Sequence, residues 1–222
     1  MIEIAIDGTA ASGKGTLGKK LSDKYNFPYL DTGMLYRKVA YELIRDKVIS
    51  SKNLEKNCCD YAKLLDFKES KNQNLRSEDI AKLASKIATY PSLRNILDKK
   101  QKEFSVLNKR QFGGCILDGR DIGTKILPDA DFKFFITASL EERAKRRLLE
   151  KNISFLHEND EKCMLLNLMS DMRERDKLDS NRKTSPLAHA KDAYIFDTSL
   201  ITAQDLFLKV TNIIEGKNVL LK

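Results

Sequence analysis

This sequence predicts an α/β fold in which a five-stranded parallel sheet carries helices on both faces. Three observations support that prediction. Short apolar runs recur along the chain, and several end in tracts of Asp, Gly or Thr. Helical patterns of roughly ten or more residues separate most of these runs, which is the length a crossover between parallel strands needs. The 222 residues are 41% hydrophobic and 32% charged, enough hydrocarbon for one core and too much for disorder.

The elements follow in order. Ile2 to Ile6 reads as a short buried strand that Asp7-Gly8 breaks. Leu17 and Leu21, with Lys19, Lys20 and Lys24 around them, give a helix with one apolar edge over Gly15 to Lys24. A second strand, Tyr29-Leu30, ends at Asp31-Thr32-Gly33, and Leu35, Val39, Leu43 and Ile44 then recur at helical spacing. Residues 45–76 are polar and lysine-rich, with a weak helix around Tyr61 to Leu65. Ser77-Glu78-Asp79 opens a better helix to about Thr89, and beyond Pro91 another runs toward Lys109. The third strand, Cys115-Ile116-Leu117, ends in Asp118-Gly119-Arg120-Asp121. The fourth is Phe132 to Thr137 and the fifth is Tyr194-Ile195-Phe196. Helices at 139–151 and 161–177 lie between them, and a last helix follows Thr202.

Two segments break this rhythm, roughly 37–110 and roughly 147–184. Both join strand ends that face the edge of the sheet where ligands bind in such folds, so both are expected to overhang the ligand site.

Composition narrows the function. No uncharged run nears the roughly 18 residues of a membrane helix; the longest is Cys163 to Ser170. Met1 leads straight into the first strand without a basic stretch, so no secretory leader is expected and the protein reads as soluble and cytoplasmic. The cysteines at 58, 59, 115 and 163 form no CxxC and read as reduced thiols. His157 and His189 are the only histidines, which excludes a His-rich metal site. A net charge of +8 points to anionic partners, either nucleic acid or small phosphates.

Gly8-Thr9-Ala10-Ala11-Ser12-Gly13-Lys14-Gly15-Thr16 decides for phosphates. It matches G-x-x-x-x-G-K, with Gly15 in the usual Ser/Thr place and Thr16 one position later. Glycines let backbone N–H groups turn inward, the following helix adds its positive end, and Lys14 reaches the outer phosphates. Arginines then recur at the ends of later elements: Arg37, Arg120, Arg143, Arg146, Arg147, Arg175 and Arg182. Strand-end arginines are expected to converge on the same crevice, where phosphoryl transfer needs charge neutralised.

Taken together, these tracts resemble the bacterial cytidylate kinases. The likeness runs through Gly8 to Thr16, Asp31-Thr32-Gly33 with Tyr36-Arg37, and Asp118-Gly119-Arg120-Asp121-Ile122-Gly123-Thr124. It continues through Glu141 to Arg147, Glu174-Arg175-Asp176, Asp179 with Asn181-Arg182, Ser185-Pro186-Leu187 and Asp197-Thr198-Ser199. The resemblance implies a P-loop nucleoside monophosphate kinase fold in one domain. Its core is 1–36, 111–146 and 185–222, its acceptor-binding insert about 37–110 and its lid about 147–184. The implied reaction moves the ATP γ-phosphate to CMP or dCMP, with magnesium accompanying ATP.

Position by position, the resemblance gives Gly8 to Thr16 to ATP. Thr32 and Arg37 hold the acceptor phosphate with Arg120 and Arg182 beside it, and Arg175 and Asp179 stand near the acceptor sugar and phosphate. Ser85, Arg94 and Asp121 read cytosine, and Arg147, next to Arg146, is the lid arginine. The transfer itself falls to Lys14, Arg120, Arg147, Arg175 and Arg182. Magnesium ligands stay unassigned, although Asp118 and Asp31 are carboxylates in the crevice.

The base readers also make chemical sense. Cytosine offers an amine at N4 and acceptors at N3 and O2, which suits one carboxylate, one guanidinium and one hydroxyl. Uracil would set an acceptor against Asp121, a mismatch of about 1–3 kcal/mol. A kinase of UMP or another small phosphorylated acceptor is the runner-up. Nucleic-acid binding is disfavoured, because acids such as Asp121, Glu174 and Asp179 interrupt the basic residues and no aromatic RNP-like run occurs. The expected protein is a monomer with no membrane partner. Three departures from the pattern stand out: a short polar tract from Lys68 to Asn74 within the insert, a long lid stretch from Ile153 to Lys162, and Thr32 and Leu178 where Ser and Arg are frequent.

Overall fold

Side chains alternate across a strand, so a strand that is apolar throughout must be covered on both faces. The computed structural model, which describes residues 1–50, 52–67, 73–150, 153, 157–182 and 184–220, has such strands at its centre. β1 (Ile2–Gly8), β2 (Tyr29–Asp31), β3 (Gly114–Gly119), β4 (Phe132–Thr137) and β5 (Tyr194–Asp197) form one sheet in the order β2-β3-β1-β4-β5. Every neighbouring pair is parallel.

The helices are α1 (Lys14–Tyr25), α2 (Thr32–Arg45), α3 (Leu54–Leu64), α4 (Glu78–Ile87), α5 (Pro91–Phe112), α6 (Leu140–Glu150), α7 (Glu158–Ser180) and α8 (Ala203–Leu220). Ala5, Cys115 and Leu117 pack on one face with Leu35, Val39 and Leu43 of α2 and Leu93 and Leu97 of α5. Ile4, Ile6, Ile116 and Phe134 pack on the other with Leu17 and Leu21 of α1 and Leu206, Val210 and Ile214 of α8. Each fully buried Leu, Ile or Val of this kind contributes about 1.5–3 kcal/mol, so the doubly covered sheet is the main store of stability. A smaller cluster, Ala144, Leu148, Leu168 and Met172, joins α6 to α7 and rests against Ala11.

The expected strands and main helices are present, with three differences. α3 starts at Leu54 rather than near Tyr61, because the small residues Cys58 and Ala62 form its buried seam. β3 continues through Asp118 and Gly119, which stay in register with Ile6 and Asp7 of β1. The tract after Asp121 is a π-helical turn, Ile122–Ile126, rather than a loop. Ser77 opens α4 as expected, accepting a hydrogen bond from the N–H of Ile80 at 3.4 Å, and Pro91 stands in the first turn of α5.

Of the polar tract 68–74, residues 68–72 lie outside the described residues. So do 154–156 of the stretch 153–162, and 151, 152 and 183 of the expected lid. All four cysteines carry free thiols. Among the described residues no helix is long and apolar enough to cross a membrane.

Candidate active site

Neighbouring parallel strands deliver their carboxyl ends side by side, and β1 and β3 do so with Ile6 opposite Asp118 and Asp7 opposite Gly119. The glycine-rich loop leaves β1 at this edge. A Cβ on Gly8, whose φ is +143°, would lie 1.8 Å from the Ile136 carbonyl oxygen of β4, so only glycine fits there. Three of the loop's carbonyls are engaged by side chains. Thr9 O accepts from Ser12 Oγ at 2.9 Å and from Lys14 Nζ at 2.8 Å. Ser12 O accepts from Thr198 Oγ1 at 3.0 Å, and Ala10 O from Arg143 Nη1 at 3.4 Å. With the carbonyls held this way, the backbone N–H groups and the start of α1 form a cradle suited to an anion.

Lys14 is buried, and burial followed by the Arg120 charge pushes its pKa below the lysine range, while Asp118 and Asp31 pull the other way. The Asp118 carboxyl is pushed up by burial and by Asp31. Lys14 opposes that shift, as does Tyr29, whose hydroxyl donates to Asp118 Oδ2 at 2.7 Å.

A second group of cations faces this loop. Arg120 Nε donates to Asp179 Oδ2 at 2.8 Å, and Arg182 Nη2 donates to the other oxygen of the same carboxylate. Burial lowers all of these guanidinium pKa values, and the cations also act on one another. Arg175 is brought down to about 10 by burial, then by Arg120 and Arg147. Arg37 falls to about 10 by burial, Arg175 and Arg147, and Arg182 to about 10 by burial, Arg94 and Arg120. Cations that depress each other share one space, and an anion placed there offsets their repulsion.

The third group lies beyond Arg182. Arg94 Nη2 pairs with Asp121 Oδ2 at 2.5 Å, with side chains only 3% and 8% exposed. The Arg94 guanidinium lies 5.7 Å from the centre of the Tyr36 ring. Burial opposes the Arg94 charge, but Tyr36, Asp121 and Asp98 outweigh it and hold its pKa above the usual value. Ser85 Oγ, Tyr36 Oη, Arg94 Nε, Asp98 Oδ1 and Arg182 Nε are buried without a hydrogen-bond partner among the described residues. So many unpaired polar atoms suit recognition of a polar molecule better than they suit a core. A cleft of about 640 Å³ opens beside them, between Thr89 and Pro91 on one side and Glu174, Leu178, Asn181 and Arg182 on the other.

The structure therefore gathers Lys14, Arg37, Arg120, Arg175, Asp179 and Arg182, with Arg94 and Asp121 joined to them through Arg182. Ser85 lies on the buried side of α4 but bonds to neither Arg94 nor Asp121. The Thr32 hydroxyl donates to Asp118 O at 2.7 Å. Arg147 reaches the start of α4, pairing with Glu78 Oε1 at 3.2 Å and donating to Arg76 O at 2.7 Å. Arg146 is engaged by Thr198 and Glu142. Asp7, Tyr36 and Asp98 were not among the residues the sequence singled out for a role. A carboxylate just before the glycine-rich loop and the Tyr-Arg pair were visible there, but their partners were not.

A glycine-rich anion cradle with a buried lysine, facing convergent arginines and a separate polar recess, defines a P-loop phosphotransferase. Comparison with known proteins makes the class specific. The chain belongs to the cytidylate kinase family, with residues 4–216 matching the family model described as cytidylate kinase. It is 43% identical over 204 residues to the cytidylate kinase of Bartonella quintana (strain Toulouse), covering 92% of this chain and 90% of that one. It is 42% identical over 214 residues to that of Methylocella silvestris, covering 96% and 94%. In fold it is similar to an uncharacterized protein from Eubacterium ventriosum, with a TM-score of 0.51, 16% identity, and coverage of 97% and 99% of the two chains.

Proposed function

We propose that this protein transfers the γ-phosphate of ATP to CMP or dCMP, giving ADP and CDP or dCDP, with the assigned side chains in the following roles. The glycine-rich loop and Lys14 hold the donor phosphates. Arg37, Arg120, Arg175 and Arg182 neutralise and align the acceptor phosphate, and Arg147 closes over the transferring group. The acceptor is already a phosphate dianion, so alignment and charge neutralisation supply most of the catalysis. In this reading residues 37–110 form the acceptor-binding insert and 147–184 the lid, in a monomeric enzyme of the cytoplasm.

Among the described residues no three His, Cys, Asp or Glu side chains could enclose a metal ion. Asp118 and Asp31 repel one another at the phosphate edge, which a divalent cation would relieve. Magnesium fits there as an ion bound chiefly by the nucleotide and water, and it would add positive charge to the transferring phosphate.

The Arg94–Asp121 pair, set beside unpartnered Ser85 and Arg94 atoms, is the observation that carries the cytosine reading. Asp121 suits the N4 amine, while Arg94 and Ser85 suit N3 and O2. The test compares initial rates with CMP, dCMP, UMP and AMP at fixed ATP and magnesium. CMP and dCMP are expected to lead; a faster rate with UMP overturns the base assignment.

A further inference from the structure

Asp121 stands directly before the π-helical turn, and that turn is anchored from outside. Asp121 O accepts from Lys125 N at 2.9 Å and from Ile126 N at 3.3 Å, and Leu127 N donates to Ile122 O at 2.7 Å. The first two N–H groups of a helical turn have no acceptor within it. Here both go to one carboxylate: Ile122 N donates to Asp7 Oδ1 at 2.8 Å and Gly123 N to Asp7 Oδ2 at 2.7 Å. Asp7 is only 4% exposed and directly precedes Gly8 of the phosphate loop. The fit is close, since a Cβ on Gly123 would lie 3.3 Å from the Lys133 stem and 3.4 Å from Asp7 Oδ2. At the other end of the turn, Lys125 Nζ pairs with Asp98 Oδ2 at 2.8 Å, and Asp98 lies one helical turn beyond Arg94 on α5.

We propose that Asp7 is a positioning residue for base selection: it clamps the π turn and thereby fixes the aim of Asp121. The inference rests on the cytosine reading above. Asp121 separates cytosine from uracil only while its carboxylate is held where position 4 of the base arrives. If the turn loosens, Asp121 can swing aside, so CMP loses a partner and UMP loses a clash. Lys125 serves the same end from the far side. Without it, Asp98 faces Arg94 uncompensated and draws it from Asp121.

The experiment measures kcat/KM for CMP and for UMP in the parent, Asp7→Asn and Lys125→Ala proteins, with KM for ATP alongside. An Asn amide has one acceptor oxygen, so one of the two N–H bonds is lost. Asp7→Asn is expected to lower the CMP-to-UMP ratio by about fivefold or more, as the loss of a buried polar match implies. KM for ATP should move far less. Equal loss of kcat for both acceptors with an unchanged ratio overturns the proposal, because a purely structural cap acts that way. If Asp7→Asn fails to fold, Lys125→Ala carries the same ratio test from a side chain that is 38% exposed, and an unchanged ratio there also overturns it. A parent enzyme that prefers UMP overturns the cytosine reading itself, and this inference with it.

Discussion

Replacing Asp179 with Asn tests whether one carboxylate holds the arginine group together. Asp179 is 1% exposed, and its two oxygens serve Arg120 from the end of β3 and Arg182 from beyond α7. Removing one partner of a buried ion pair costs about 3–5 kcal/mol. The upper part of that range applies here, because two guanidinium groups lose their partner and Arg175 places a third cation beside Arg120. For a chain of this length each kcal/mol moves the midpoint by about 2–4 °C, so a loss of about 4–5 kcal/mol should lower Tm by about 8–20 °C. Thermal or urea unfolding followed by circular dichroism reads the effect. The comparison belongs in nucleotide-free buffer, since a ligand at 100 times its Kd adds about 2.7 kcal/mol to the folded state. A variant within about 0.5 kcal/mol of the parent would refute the reasoning, placing the arginines in solvent rather than in a shared buried space.

Two further outcomes follow from charge and burial. Lys14→Ala should lower kcat at least about 100-fold, the scale seen when one charge-stabilising donor is lost. Its melting temperature should hold or rise, because burial and Arg120 already oppose the lysine charge; a lower melting temperature with activity lost in proportion to folding would contradict the assigned role. Asp7 is raised from 3.8 to about 6, chiefly by burial, so the folded state favours its neutral form. Its stabilising contribution is therefore full below the unfolded pKa and lost as pH rises through about 6, a change of up to about 3 kcal/mol. Stability against pH should fall more steeply in the parent than in Asp7→Asn over that window, and identical slopes would show that Asp7 does not titrate there.

What could be read in advance follows from how local each cause is. β1 is legible because its buried run meets Gly8, and the phosphate loop because Gly13 and Lys14 keep their spacing. α3 is largely hidden, since its seam is Cys58 and Ala62 rather than Leu or Ile. The π turn has no periodic signal, and the carboxylate that anchors it lies 115 residues away in the chain. The arginines are visible as residues, but their partners are not. Arg94 meets Asp121 across 27 positions and Arg120 meets Asp179 across 59, pairings that only the packing of α5 and α7 around the end of β3 creates. The direction of Arg147 toward Glu78 and Arg76 depends on how α6 lies relative to the start of α4, which no local pattern encodes.

On the proposed reading, Ser85 and Arg94 ride on α4 and α5 rather than on the strand ends, which sets two of the three base readers apart from the residues that move phosphate. Those two helical sites can be varied together while the start of α1 that carries Lys14 and the end of β3 that carries Asp118 stay untouched. A library confined to them would search new acceptors on an intact engine. One that included Gly8 would spend most of its members on chains whose first turn collides with β4.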